Sequence, residues 1–368
     1  MIIEVAQIQT IPEVLAMAKI VILSVLAFVL AMGLTPLLAY FLYKYKIGIR
    51  IKDKDVDGEK LSHVSKMHAH KSGTPTMGGI LIWGTVLILI IVMHFLAPFF
   101  SEWTQNVWIS RLDFLSRSQT WLPLFALISV AILGMVDDFM SIRNVGGNKG
   151  GGMRFFWRLI WIIVITAFGA WWFYSKLGWD TIHIPAVGDF EIGLFYIPLF
   201  MFVIIASAFS SNETDGLDGL NAGILAQAFA VFSLISFFQG RMDLAAFCGV
   251  IAGVLMAFLW FNFYPARFFM GDTGAFSLGA TLGVVALLTN SVIVLPFIVI
   301  IYVIESSSVV VQLTSKKVFK KKVFLAAPIH HHFEARGWPE TKVTVRFWII
   351  NIAVAIIGLL IGIIGSGF

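Results

Sequence analysis

Ten stretches of the chain are apolar over about the length a helix needs to cross a bilayer. They lie near residues 16–43, 78–97, 121–136, 155–174, 194–211, 220–238, 244–261, 274–289, 291–313 and 344–365. A spanning helix needs ~20 such residues, and hydrocarbon forces the backbone to satisfy its own hydrogen bonds, which a helix does. None of the runs alternates apolar and polar residues over ten positions, which argues against a β-barrel. Several are rich in Gly and Phe, as packed membrane helices tolerate. The pattern predicts an all-α polytopic membrane protein with about ten transmembrane helices, forming one domain over residues 1–368. Only 13% of residues are charged and 59% are hydrophobic, where a soluble domain carries ~25% charge. That balance excludes a soluble multidomain protein, a disordered chain and a collagen. Cys248 is the single cysteine. It cannot form an internal disulfide and reads as a small core or lipid-facing residue. Glu4 and Glu13 precede the first basic residue, Lys19, which is the wrong charge for a cleavable signal peptide.

The net charge of +5 matters less than where the charges fall. Ten spans put both termini on one side. In that arrangement residues 44–79, 139–158, 262–273 and 314–346 share a face and hold 21 of the 26 lysines and arginines. Lys19, Arg111, Arg117, Lys176 and Arg241 fall on the other. Cytoplasmic loops carry the Lys/Arg excess. The loops near 44–79, 139–156, 211–220, 262–273 and 314–343 are therefore expected in the cytoplasm, and both termini outside. The run from Lys316 to Lys322 is either a stop-transfer flank or a site for anionic headgroups. Outside, residues 179–193 (WDTIHIPAVGDFEIG) read as a small hairpin, expected in the periplasm, with two β-like runs around Pro185–Asp189.

Costly residues cluster on the cytoplasmic face. Asp137 and Asp138 end the third span in GMVDDFM; ionised groups at that depth are expensive and commonly functional. In SNETDGLDGLNAG, residues 211–223, Asp215 and Asp218 are three apart, which one helical turn would place on one side. Gly216 and Gly219 allow close backbone approach to a ligand, and no Lys or Arg in the segment neutralises its acids. Helix capping by Asn212, Thr214 or Asp215 would use only one of them. In FNFYPARFFMGDTGAF, residues 261–276, Asp272 opens the eighth span. It is either an N-cap or a ligand for a hard cation such as Mg²⁺, which favours one or two carboxylates plus substrate phosphates. Phe268 and Phe269 read as interfacial aromatics. His330, His331 and His332 in APIHHHFEARGWPE cannot all face one point on a helix and lack zinc spacing; they could donate to phosphate or assist proton transfer. HKSGTPTMGG, residues 70–79, could cradle phosphate beside Lys71, although it is no P-loop. Carboxylates, a hard cation and basic groups on one face suggest phosphoryl transfer from a diphosphate donor.

KSGTPTMGG, VDDF, NETDGLDGL, FNFYPARFFMGDTG and APIHHHFEARGWPE, in this order, resemble the phospho-N-acetylmuramoyl-pentapeptide transferase family. That family belongs to the polyprenyl-phosphate N-acetylhexosamine-1-phosphate transferase superfamily. The resemblance implies a ten-span inner-membrane enzyme, commonly a homodimer among membrane lipids, with no nucleic-acid partner. It implies transfer of phospho-MurNAc-pentapeptide from UDP-MurNAc-pentapeptide to undecaprenyl phosphate, giving lipid I and UMP with Mg²⁺. By the same resemblance Asp137 and Asp138 are the acidic pair, Asp137 being the partner of the lipid phosphate. Asp272 is the Mg²⁺ ligand and His330 the first of a catalytic histidine triplet. Lys71, Asn212, Asp215, Gly216, Leu217, Asp218, Asn262, Phe269, His331 and His332 match substrate-binding positions. Phe269 would stack on uracil and Asp218 would hydrogen-bond it. One segment departs from the family pattern. IRNVGGNKGGGMRFFWRLIW is glycine-rich and lacks the glutamine that usually follows a lysine there, leaving Lys149, Arg154 and Arg158 as sources of the positive charge. Two alternatives stand beside this reading: a sister transferase using UDP-GlcNAc, and a non-enzymatic transporter or flippase of an anionic solute. Transporters favour midplane charges and repeated halves, and neither is evident in this chain.

Overall fold

The computed structural model describes residues 2–45, 47–48, 71, 73–146 and 151–365. Lys46, Arg50, Lys52, Lys54, Lys60, Lys66, His70, Ser72 and Lys149 lie outside the described residues. Helices form most of the described chain. They are α1 (Ile2–Lys44), α2 (Gly79–Thr104), the one-turn α3 (Val107–Ser110), α4 (Trp121–Ile142) and α5 (Phe155–Leu177), then α6 (Tyr196–Thr214), α7 (Leu220–Phe238), α8 (Met242–Asn262) and α9 (Asp272–Leu288). The short α10 (Leu295–Ile298), α11 (Ile300–Val318), the short α12 (Ile329–Ala335) and α13 (Glu340–Ile364) complete them. Eight helical segments, in α1, α2, α4, α5, α6 with its preceding turn, α7, α8 and α13, are long and apolar enough to cross a membrane. The other two expected runs form α9, which has 17 residues, and α11, which carries Glu305, Lys316 and Lys317. The chain is an all-α polytopic membrane protein.

The run 291–313 is not one continuous helix. α10 ends at Ile298, Val299 leaves helical geometry (φ −124°, ψ 50°), and α11 starts at Ile300. The Asn351 side chain of α13 satisfies the freed backbone on both sides of the break. Its Nδ2 donates to the Ile298 carbonyl at 3.1 Å, and its Oδ1 accepts from the Ile301 N–H at 3.4 Å. A side chain inserted into the helical ladder is a recognised cause of a sharp break.

α9 is the axis of the bundle. Every residue from Thr273 to Leu288 is buried, and α2, α4, α6 and α7 pack around it. A helix apolar on all sides belongs at such a centre. α1 instead packs on α8 and leaves Val21, Val25 and Val29 exposed, as suits a lipid-facing helix. Cys248 is buried in the core. Phe268, read as interfacial, is also fully buried, because its ring packs against Phe258 and Phe261 at 5.6 and 6.1 Å. The expected hairpin is present: β1 (Thr181–Ile184) pairs antiparallel with β2 (Gly188–Glu191), Thr181 opposite Glu191 and Ile184 opposite Gly188.

Candidate active site

The ends of α4, α6 and α8 and the starts of α2, α7, α9 and α13 meet at one end of the bundle. Asp137 and Asp138 sit on the last turns of α4. Gly134, one turn earlier, lies so close to the Asp272 carbonyl that any Cβ would collide with it; small residues permit this helix approach. Asp138 is thereby brought onto the first turn of α9, where it accepts from the Asp272 and Thr273 N–H groups at 3.2 and 3.0 Å. It caps α9 from a neighbouring helix, because Gly271, the N-cap, has no side chain to do so. Asp137 uses one oxygen to accept from the Met153 N–H. Its other oxygen lies 3.3 Å from Nη1 of Arg158, and the same Nη1 lies 3.0 Å from Asp272. Asn212, in the last turn of α6, donates to the second Asp272 oxygen at 2.7 Å. Of the basic residues left open by the sequence, Arg158 is the one seated between the acids. Its Nε is buried without a partner among the described residues. Arg154 is the N-cap of α5.

Asp215 follows α6 in the turn toward α7. Burial pushes its carboxyl well above the usual carboxylate range, the Asp138 charge adds to this, and a hydrogen bond from the Gly271 N–H opposes it. On the far side of that turn Asp218 meets Lys71 at 2.6 Å, and Lys71 reaches Glu340, at the start of α13, at 2.6 Å. The second Asp218 oxygen accepts from the Ala266 N–H at 3.0 Å, so both oxygens are engaged within the protein. Glu340 also accepts from the Asp218 N–H at 2.5 Å. The half-buried Phe269 ring lies 5.7 Å from the Lys71 ammonium. Its segment is held by two backbone bonds, Phe269 N–H to Pro75 and Gly78 N–H to the Phe269 carbonyl, each 2.8 Å. Asn262 is committed to the same scaffold: it accepts from the Gly219 N–H at 3.1 Å and donates to the Phe268 carbonyl at 3.0 Å. Leu217 is buried.

The three histidines lie on α12 and point to different partners. His330 is buried with Nδ1 3.1 Å from Glu305 of α11. His331 pairs with Glu334 at 2.7 Å, and His332 accepts from the Leu325 N–H at 3.1 Å. Gly216 lies directly over the His330 ring, where a Cβ would collide with Nε2. Arg158, Glu305 and Glu340 are therefore site residues that sequence reasoning left open or missed.

Charge at this end is unbalanced. Asp137 and Asp272 share one guanidinium, and Asp138 and Asp215 have no ion-pair partner among the described residues. Buried carboxylates without counterions are costly, and either a proton or an added cation relieves that cost. Among the described residues no three His, Cys, Asp or Glu side chains form a closed metal cage. Hard carboxylate oxygens converging on one cationic group fit Mg²⁺, which completes its shell with water and substrate phosphate.

Residues 120–290 match the glycosyl transferase family 4, and residues 71–82 match the phospho-N-acetylmuramoyl-pentapeptide-transferase signature 1. A phospho-N-acetylmuramoyl-pentapeptide-transferase of Chloroflexus aggregans is 35% identical over 360 residues, covering 95% of this chain and 90% of that protein. One from Geobacillus thermodenitrificans is 35% identical, with 93% and 97% coverage. One from Clostridium novyi is 33% identical, with 95% and 99% coverage. Likeness of this extent takes in the acidic cluster, the Lys71 segment and the histidine helix alike, and the chain belongs to the phospho-N-acetylmuramoyl-pentapeptide-transferase family.

Proposed function

We propose that this protein transfers phospho-MurNAc-pentapeptide from its UDP donor to undecaprenyl phosphate, making lipid I and UMP for peptidoglycan synthesis. The observation that carries the reading is the Asp137–Arg158–Asp272 bridge, where two acids and one guanidinium from α4, α5 and α9 meet at the bundle end. An oxygen of the lipid phosphate attacks the β-phosphorus of the donor. A new P–O bond forms there as the bond to the bridging oxygen breaks, and UMP leaves with the electron pair. Asp272 would hold Mg²⁺, which supplies charge neutralisation at the diphosphate, and Asp137 would position the lipid phosphate. Arg158 stabilises charge on the transferring phosphoryl group. Phe269 stacks on uracil, and Lys71, placed between Asp218 and Glu340, orients the donor beside it. Asp138 spends both oxygens on the N-terminus of α9, which favours direct attack by the lipid phosphate over a covalent enzyme intermediate. We place the protein in the inner membrane as a homodimer, with this site in the cytoplasm and both termini outside. The lysine and arginine bias of the loops supports that orientation.

The test is UMP release by purified protein given undecaprenyl phosphate and either UDP-MurNAc-pentapeptide or UDP-GlcNAc. Release with the first donor alone is expected, and its loss in excess EDTA. Equal release with UDP-GlcNAc overturns the donor assignment, and full activity in EDTA overturns the metal. A phospho-MurNAc adduct trapped on Asp137 or Asp138 without lipid, and competent to form product, overturns direct attack.

A further inference from the structure

Glu305 is a carboxylate inside α11 that the reaction as described does not use. It follows the apolar segment 300–304 and has 0% of its side chain exposed, as does His330. Ionisable groups within membrane helices are rare and mark pairing or function. Oε2 of Glu305 lies 3.1 Å from Nδ1 of His330 and 3.4 Å from the His330 backbone N–H, which donates to it. Among the described residues Oε1 of Glu305 and both ring nitrogens of His330 have no aligned hydrogen-bond partner, so the 3.1 Å approach of Nδ1 to Oε2 is a close contact that a small rotation of the ring would turn into a hydrogen bond. The Nε2 edge faces the backbone of Gly216, in the turn between the acidic cluster and Lys71. The neighbouring acids are otherwise engaged: Glu334 pairs with His331, and Glu213 of α6 accepts from Ser306 at 2.8 Å. Which imidazole nitrogen carries the proton is set by the hydrogen bond the other makes.

We propose that Glu305 is the positioning residue for His330: it accepts the Nδ1 proton and leaves the Nε2 lone pair facing the Asp215–Gly216 turn. Glu305 acts only through His330, and its effect on turnover rests on the transferase reading above. An acceptor carboxylate that orients a histidine in this way is the logic of the serine-protease triad, here used without a nucleophilic serine.

The experiment uses the full-length protein in detergent or nanodiscs. Spectra of ¹⁵N-histidine-labelled protein, with His330 assigned through His330→Ala, read the tautomer without substrate. The parent is expected to show His330 protonated at Nδ1 and bare at Nε2; the opposite tautomer in the parent overturns the proposal whether or not any variant folds. Glu305→Leu is expected to lose that tautomer. Its kcat should fall by about a hundredfold, the low end for loss of acid–base assistance, with KM for the UDP donor nearly unchanged. Glu305→Gln keeps an acceptor oxygen and should recover part of the rate. The double variant Glu305→Leu/His330→Ala should be no slower than His330→Ala alone, because residues acting as a unit are non-additive. Multiplicative losses, or a folded Glu305→Leu with parental kcat, overturn the proposal. Failure of the parent to release UMP would instead overturn the transferase reading and leave the tautomer result standing.

Discussion

The two ends of the helical bundle both carry charge, and they use it differently. At the hairpin end the ion pairs among the described residues are one to one. His183 pairs with Asp189 at 2.7 Å and also bonds the Gly365 carbonyl at 2.6 Å, while Lys19 pairs with Asp243 at 2.9 Å. The Asp189 side chain is 66% exposed, so water shares the cost of its charge. At the other end the Asp137 side chain is 4% exposed, and it shares a single guanidinium with Asp272. Charge that only holds a fold together is matched and wet. On the proposed reading, the charge at the other end is left undermatched at a cost to stability that a bound cation and diphosphate would offset.

The sharpest way to break this contrast is Asp272→Asn. Several kcal/mol of transition-state stabilisation is expected from a metal at the transferring phosphate. At 1.36 kcal/mol per tenfold, UMP release should fall by roughly a thousandfold, with the fold intact by circular dichroism. Near-parental turnover would mean the unmatched acids are structural after all. Arg158→Ala comes next. Removing one preformed donor to developing charge costs about a hundred- to a thousandfold in kcat. Arg158→Lys should recover only part, because the ammonium lacks the second nitrogen, Nη2, that reaches the Met153 carbonyl while Nη1 meets the two carboxylates. A variant whose thermal stability changes while kcat does not would reassign Arg158 to the fold. Phe269→Ala should weaken uridine-inhibitor binding by about tenfold in calorimetric titration, the loss of one base stack at ~1–3 kcal/mol. Equal dissociation constants in a folded variant would remove Phe269 as the uracil platform. Asp189→Asn, at the hairpin end, should leave turnover unchanged and cost at most about 1 kcal/mol of stability, as exposed ion pairs do. A large loss of activity there would collapse the distinction between the two ends.

The spans and the acids were legible in the sequence for one physical reason. In a chain this apolar, a carboxylate at the end of a run stands out, and Asp137, Asp138, Asp215 and Asp272 each announced themselves that way. Partners were not legible, because they depend on helix register and on contacts between distant segments. Arg158 could not be told from Arg154 or Lys149 until α5 was placed, where its side chain falls between Asp137 and Asp272. Glu340 read as the tail of a loop motif, and its role beside Lys71 joins residues 269 apart in the chain. Glu305 did leave a signal, a lone acid inside the run 291–313, which reading that run as an ordinary span passed over. The break at Val299 was hidden too, because the polar group that stabilises it, Asn351, belongs to another helix. Phe268 and Phe269 looked alike in sequence; one is sealed in the core and the other lies near Lys71.

Isotopic tracking of the donor phosphates decides which phosphorus the lipid phosphate attacks. Donor labelled with ³²P at the β-phosphate, and separately at the α-phosphate, is incubated with the purified protein, undecaprenyl phosphate and Mg²⁺, and the lipid and aqueous phases are counted. Transfer at the β-phosphorus sends the β label into the lipid phase and leaves the α label in UMP, in equal amounts. An α label in the lipid, or a β label that stays in water while UMP is released, would contradict it.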